Sequence, residues 1–102
     1  MPNSNYERGV RFERERKAAW EEQGYVCLRT AGSHGFADLI CVHPDKPTVF
    51  VQCKVLSDGA EKQAYMLIRK FKQDPPIATS RYYRLCMEVK SMADRKLTTG
   101  TV

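Results

Sequence analysis

Polar and apolar positions along this chain switch between helical and strand spacing, and the switches divide it into elements. From Tyr6 to Gln23 the segment is rich in Glu, Arg, Lys and Ala, and Gly24 follows as a helix terminator, so a first helix is predicted there. Tyr25-Val26-Cys27-Leu28-Arg29 reads as a strand, closed by the turn-prone Ala31-Gly32-Ser33-His34-Gly35. Asp38 to Val42 is an apolar run behind one acid, and Thr48 to Val55 is a second β-rich run. Pro44-Asp45-Lys46-Pro47 joins them tightly, which predicts an antiparallel hairpin. Next comes a second helix, capped by Ser57 or Asp58 and running to about Gln73. Its Ala64, Leu67, Ile68 and Phe71 recur at i, i+3, i+4 and i+7, and Asp74-Pro75-Pro76 stops it.

Between Tyr82 and Lys90 the spacing returns to two: Tyr83, Leu85, Met87 and Val89 alternate with Tyr82, Arg84, Cys86, Glu88 and Lys90. The order is helix, three strands, helix, strand, an α/β arrangement in which the last strand rejoins the sheet in parallel through a right-handed crossover. Residues 91–102 either add a short edge strand or stay mobile. With 102 residues the chain fits one domain around one scaffold, residues 1–102, without repeat or linker.

Composition narrows the setting. Seventeen Lys and Arg against twelve Asp and Glu leave a formal charge of +5, which suits a polyanionic partner without identifying it. No apolar stretch approaches the roughly 20 residues a bilayer span needs, and none precedes a cleavage signal, so a soluble intracellular protein without a membrane partner is expected. Cys27, Cys41, Cys53 and Cys86 form no C-x-x-C pair and read as small core residues on strands.

The chemistry concentrates in the hairpin. Gln52 and Lys54 are two apart on one strand and project from the same face, while Val51 and Cys53 point to the other. Asp38 opens the adjacent strand, so pairing brings its carboxylate toward Gln52, an arrangement able to hold a divalent cation. The same Glu/Gln-x-Lys pattern occurs at Glu15/Lys17 and Glu88/Lys90. The first is on a helix, where residues two apart do not face each other. The second follows a helix-ending Asp74-Pro75-Pro76 rather than a strand, and it is expected on a solvated strand face. Taken singly, Glu13 can pair with Lys17, Asp38 can cap a turn and Lys54 can be sheet surface. Trp20 is expected as a core or interface anchor, and His34 and His43 as loop residues. Lys62, Arg69, Lys70 and Lys72 should line the polar side of the second helix.

Read together, Tyr6-Glu7-Arg8-Gly9, Glu13-Arg14-Glu15, Gly24-Tyr25, Leu28 to Ser33, Ala37-Asp38-Leu39 and Val51-Gln52-Cys53-Lys54 resemble archaeal-type Holliday junction resolvases of the PD-(D/E)XK nuclease superfamily. The resemblance covers about the first half of the chain. It implies a restriction-endonuclease-like mixed central sheet flanked by helices, in the order α-β-β-β-α-β. It also implies a homodimeric, structure-specific endonuclease that cuts branched DNA, four-way junctions above all, for recombination and repair. Glu13, Asp38 and Gln52 are then the metal-binding positions, for Mg²⁺ with Mn²⁺ as a substitute. Lys54 completes the catalytic set beside the scissile phosphate, and Arg14, Arg29 and Ser33 match positions that touch DNA or phosphate. The expected setting is the cytoplasm or nucleoid, or a host cell if the chain is virus-encoded.

Two departures stand out. Ala37 replaces the usual Pro before the acid, and Gln52 replaces the usual Glu, leaving two carboxylates instead of three. Magnesium commonly takes only one or two protein carboxylates, the rest of its shell being water and substrate phosphate. Activity with weaker metal affinity is therefore expected. The alternatives are a flap or other structure-specific endonuclease of the same fold, or an inactive DNA-binding protein.

Overall fold

The computed structural model describes residues 4–30 and 35–102; Ser33 and His34 lie outside the described residues. Its elements are α1 (Ser4–Glu22), β1 (Val26–Arg29), β2 (Leu39–Val42), β3 (Thr48–Leu56), α2 (Glu61–Gln73), β4 (Tyr83–Ser91) and β5 (Lys96–Thr101). The strands form one sheet in the order β1-β2-β3-β4-β5, antiparallel throughout except for the β3/β4 pair. The architecture is the α/β mixed sheet flanked by helices that the sequence predicts. The crossover through α2 makes β3 and β4 parallel, and the 91–102 segment resolves in favour of an edge strand. Val102 extends that strand by exchanging both backbone hydrogen bonds with Leu85.

Each face of the sheet carries one helix over its own core. α1 covers β1, β2 and β3, where Cys27, Leu39, Cys41, Val49, Val51 and Cys86 are buried with Trp20 and Tyr25 against them. α2 covers β4 and β5 with the predicted stripe: Ala64, Ile68 and Phe71 are buried against Leu85, Met87 and Val89, and Leu67 is partly buried. Burying a side chain the size of Ile68 or Phe71 stabilises by about 1.5–3 kcal/mol, which holds a 13-residue helix that would be marginal alone. β5 fits under α2 because Gly100 lacks a side chain: a Cβ there would collide with Ile68 Cγ2.

Three expectations change. α2 begins later than a Ser57 or Asp58 cap would place it, with Ala60 at the N-cap. There the Ala60 N–H donates to Gln63 Oε1, and the Glu61 N–H donates to Asp94 Oδ2 from the β4–β5 turn, so a distant aspartate does the capping. Glu88 is not on a solvated face. Because β4 is covered on both sides, Leu85 through Val89 are all buried, and Glu88 is only 2% exposed. Its carboxylate accepts Arg16 Nε–H and Nη2–H at 3.0 and 3.1 Å and Trp20 Nε1–H at 3.2 Å, locking α1 onto the sheet. Lys90, from the same pattern, is half-buried and faces Glu15 of α1 at 3.6 Å. Third, Lys17 pairs with Glu21, not with Glu13.

The cysteines are core residues as expected. Cys27 and Cys41 are cross-strand partners with Sγ atoms 2.9 Å apart. Burial pushes the Cys41 and Cys53 thiols far up, and Cys86 up to about 11, so they remain neutral at neutral pH. A soft-metal cage would need their thiolates.

Candidate active site

The hairpin geometry sets the site. β2 and β3 pair with Leu39 opposite Val51, and the Asp38 N–H donates to the same Val51 O at 2.8 Å, so the regular ladder ends at Leu39. Asp38 therefore lies beside the Val51–Cys53 stretch of β3, bonded on either side of Gln52 and not paired with it. β2 ends there, and Asp38 takes over the edge of β3 with its side chain: Oδ2 accepts the Cys53 N–H at 2.8 Å. That bond fixes the carboxylate at the point where the two strands part. Burial raises the Asp38 pKa, opposed by the Cys53 N–H and by the positive charge of Arg29. The carboxylate is short of positive partners for the amount of water it has lost.

Glu13 approaches from α1 on one face of the sheet. Arg29, the last residue of β1, donates to its Oε1 at 3.0 Å, with both side chains about a fifth exposed. Arg29 thus links Glu13 to the surroundings of Asp38. The neighbouring Thr30 holds the strand end in place: its N–H donates to Asp38 O and its hydroxyl to Ala37 O. Glu13, Arg29 and Asp38 thereby form one cluster.

Gln52 and Lys54 leave β3 on the face opposite α1. The Gln52 side chain is half-buried at the mouth of a cavity of about 240 Å³ that also touches Lys70, Phe71, Asp74 and Met87. Lys54 is exposed one pleat further on. Neither side chain has an ion pair or hydrogen bond to Asp38 or Glu13. Sequence reasoning found these positions but did not find the cavity, which forms only when the end of α2 closes over β3.

The donor chemistry fits a hard divalent cation. Among the described residues, Asp38 Oδ1, Glu13 Oε2 and the Gln52 amide oxygen accept no hydrogen bond, and all three are oxygen donors. No group of three His, Cys, Asp or Glu side chains that could hold a metal ion gathers among the described residues, and Gln52 and Glu13 lie on opposite faces of the sheet. Beside the cluster, an open cleft of about 630 Å³ is lined by Tyr6, Glu7, Val10, Arg11, Arg14, Glu15 and Arg29. Arg14 and Arg29, two of the three positions matched to DNA contacts, therefore share one concave surface.

A mixed sheet with a helix on each face, an acid at the parting of its central hairpin and a Gln-x-Lys on the strand beside it define the class: a restriction-endonuclease-like, PD-(D/E)XK-type nuclease fold. The chain belongs to the archaeal Holliday junction resolvase (Hjc) family, whose model matches residues 4–72, a span that holds Glu13, Asp38, Gln52 and Lys54. The fold is similar to that of Hjc from Archaeoglobus fulgidus, a Holliday junction resolvase from an archaeal hyperthermophile. The TM-score is 0.56 at 16% identity, covering 91% of this chain and 71% of that one. Among curated proteins, no sequence matches.

Proposed function

We propose that this chain resolves four-way DNA junctions as a Mg²⁺-dependent homodimeric endonuclease, with Mn²⁺ able to substitute. The observation that carries the reading is Asp38: a half-buried carboxylate anchored through one oxygen by the Cys53 N–H, with its other oxygen unpartnered among the described residues where β2 and β3 part. Glu13 and Asp38 would hold the cation from the α1 face, and the Gln52 amide would join them only by reaching past the parting of β2 and β3 from the other face. When bound, the cation supplies Lewis-acid polarisation of the phosphate and a water acidic enough to attack near neutral pH. The chain's own groups do the rest. Arg29 keeps Glu13 extended, Arg14 and Arg29 bind flanking phosphate in the cleft, and Lys54 offsets the charge that develops on the scissile phosphate.

A dimer places two equivalent sites on two strands of one junction, which a single copy cannot do. Support for self-association comes from the face of β1–β2 that α2 leaves uncovered, where Val26, Leu28 and Val42 are exposed.

The test is cleavage of a labelled synthetic four-way junction with Mg²⁺, beside flap, linear duplex and single-stranded substrates. Paired symmetrical nicks confined to the junction are expected, and Asp38→Asn should abolish cutting while leaving binding intact. Cutting chiefly of flaps would replace the junction with another branched substrate. Tight binding without cutting in either metal would make the chain a binding protein.

A further inference from the structure

The sequence from Arg8 to Arg16 carries more cations than the site uses. Arg14, Arg11 and Arg8 are spaced by three, so each lies about 60° further round α1 than the last. They lead away from Arg29 over the exposed side of the helix. Three depressions follow the same course and share lining residues. Arg11 and Glu15 belong both to the cleft beside Arg29 and to a second depression that reaches Arg8 and Lys90. Phe12, Glu15 and Lys90 then connect that depression to a third, bordered by Arg16, Arg95 and Lys96 at the β4–β5 turn.

Charge along this course is only partly compensated. Arg29, Arg16 and Lys90 are matched by Glu13, Glu88 and Glu15, which leaves Glu15 neutralised as well. Arg8, Arg11, Arg14, Arg95 and Lys96 have no ion pair among the described residues, and all five are exposed. Two acids without an ion pair among the described residues adjoin them: Glu7 in the cleft, and Asp94, which precedes Arg95 and accepts the Glu61 N–H. Five free cations in a continuous groove repel one another and weaken the fold slightly unless a polyanion covers them.

We propose that this groove is a second DNA-backbone track, running from the candidate site over α1 to Arg95 and Lys96, and that it holds the phosphates of a duplex arm not being cut. The inference rests on the branched-DNA reading above and extends it. The end of the track lies on the β4–β5 turn, outside the 4–72 span that defines the family match. Branched DNA fits the track because one arm can lie along α1 toward Arg95 and Lys96 while another is held at the candidate site.

The test uses the full chain and fluorescently labelled DNA, a four-way junction and a linear duplex of equal length, titrated across a salt series. The variant is Arg95→Asn with Lys96→Gln; Asn suits residue 95 because its φ is 54°. Loss of two phosphate contacts should lower the slope of log K against log salt by roughly 1.8 and weaken junction binding about 30-fold near 0.15 M salt. A control pair of equal charge change, Lys46→Gln with Lys62→Gln, should have a much smaller effect.

An unchanged slope and affinity in the Arg95/Lys96 variant would overturn the track, as would an equal loss in the control. If the wild type binds junction and duplex alike but the variant loses both, the track stands and the branched-DNA reading falls. Mg²⁺ binding measured by calorimetry without DNA should be the same in wild type and variant; a matching loss there would mean the turn acts through the site rather than on DNA.

Discussion

Removing the Glu88 carboxylate tests how α1, which carries Glu13, is held to the sheet. Glu88 is buried, and its carboxylate accepts two hydrogen bonds from Arg16 and one from Trp20. Glu88→Ala leaves a guanidinium without its counter-ion and an indole N–H without its acceptor. Stripping one partner from a buried pair costs about 3–5 kcal/mol. The Arg16 side chain keeps 21% exposure and recovers some hydration, so the lower end, about 3 kcal/mol, applies. Glu88→Gln keeps an acceptor for Trp20 but loses the charge, and should cost about 1.5–3 kcal/mol. Replacing both partners, Arg16→Met with Glu88→Leu, should recover most of the loss, because desolvating two charges is itself expensive.

Urea unfolding followed by the fluorescence of Trp20, the single tryptophan, measures all three. With a urea dependence of about 2 kcal/mol per molar, Glu88→Ala should move the midpoint down by roughly 1.5 M. A shift under about 0.5 M would give this pair the value of a surface ion pair and refute the reasoning. So would a double variant as unstable as Glu88→Ala.

Other outcomes follow from the same geometry. Gln52→Glu should lower the Mg²⁺ concentration needed for half-maximal cleavage, since it restores a third anionic donor next to the Asp38–Cys53 bond; a raised requirement would mean that the amide is needed as such. Gly100→Ala should destabilise by about 1–3 kcal/mol in thermal or urea unfolding, because the new methyl meets Ile68 inside the α2 core; a neutral result would mean α2 is loosely seated. Burial holds the Asp38 pKa above its unfolded value, so ionisation opposes folding: the penalty is present at neutral pH and disappears as pH falls through the raised pKa. Asp38→Asn should therefore raise Tm at pH 7, with the difference narrowing toward the carboxylate range, while cleavage is lost. A lower Tm at pH 7 would show that the carboxylate stabilises its surroundings.

Local rules recovered most of the elements because they rest on near neighbours. The spacing of Ala64, Leu67, Ile68 and Phe71 located α2, and Pro44 to Pro47 located the hairpin that brings Asp38 against the Val51–Cys53 stretch of β3. Those same rules misread Glu88. Alternation along β4 describes a strand with one wet face, and nothing within a few residues of Glu88 says that α1, some seventy positions earlier, covers the other one. The start of α2 failed likewise, since Asp94 reaches it from the opposite end of the fold.

By itself the sequence determined the order of elements, the acid and the Gln-x-Lys of the hairpin, and an excess of cations. Side-chain period and turn chemistry act over a few residues, and the family's motifs lie in chain order, so both are readable in one dimension. Only the tertiary structure decided which groups meet. Arg29 closes on Glu13 across sixteen positions, Gln52 opens onto a cavity roofed by α2, and the cations of α1 line up with Arg95 and Lys96. Coulombic and packing forces depend on distance through space, and the chain's spacing does not encode that distance until the sheet and both helices are in place.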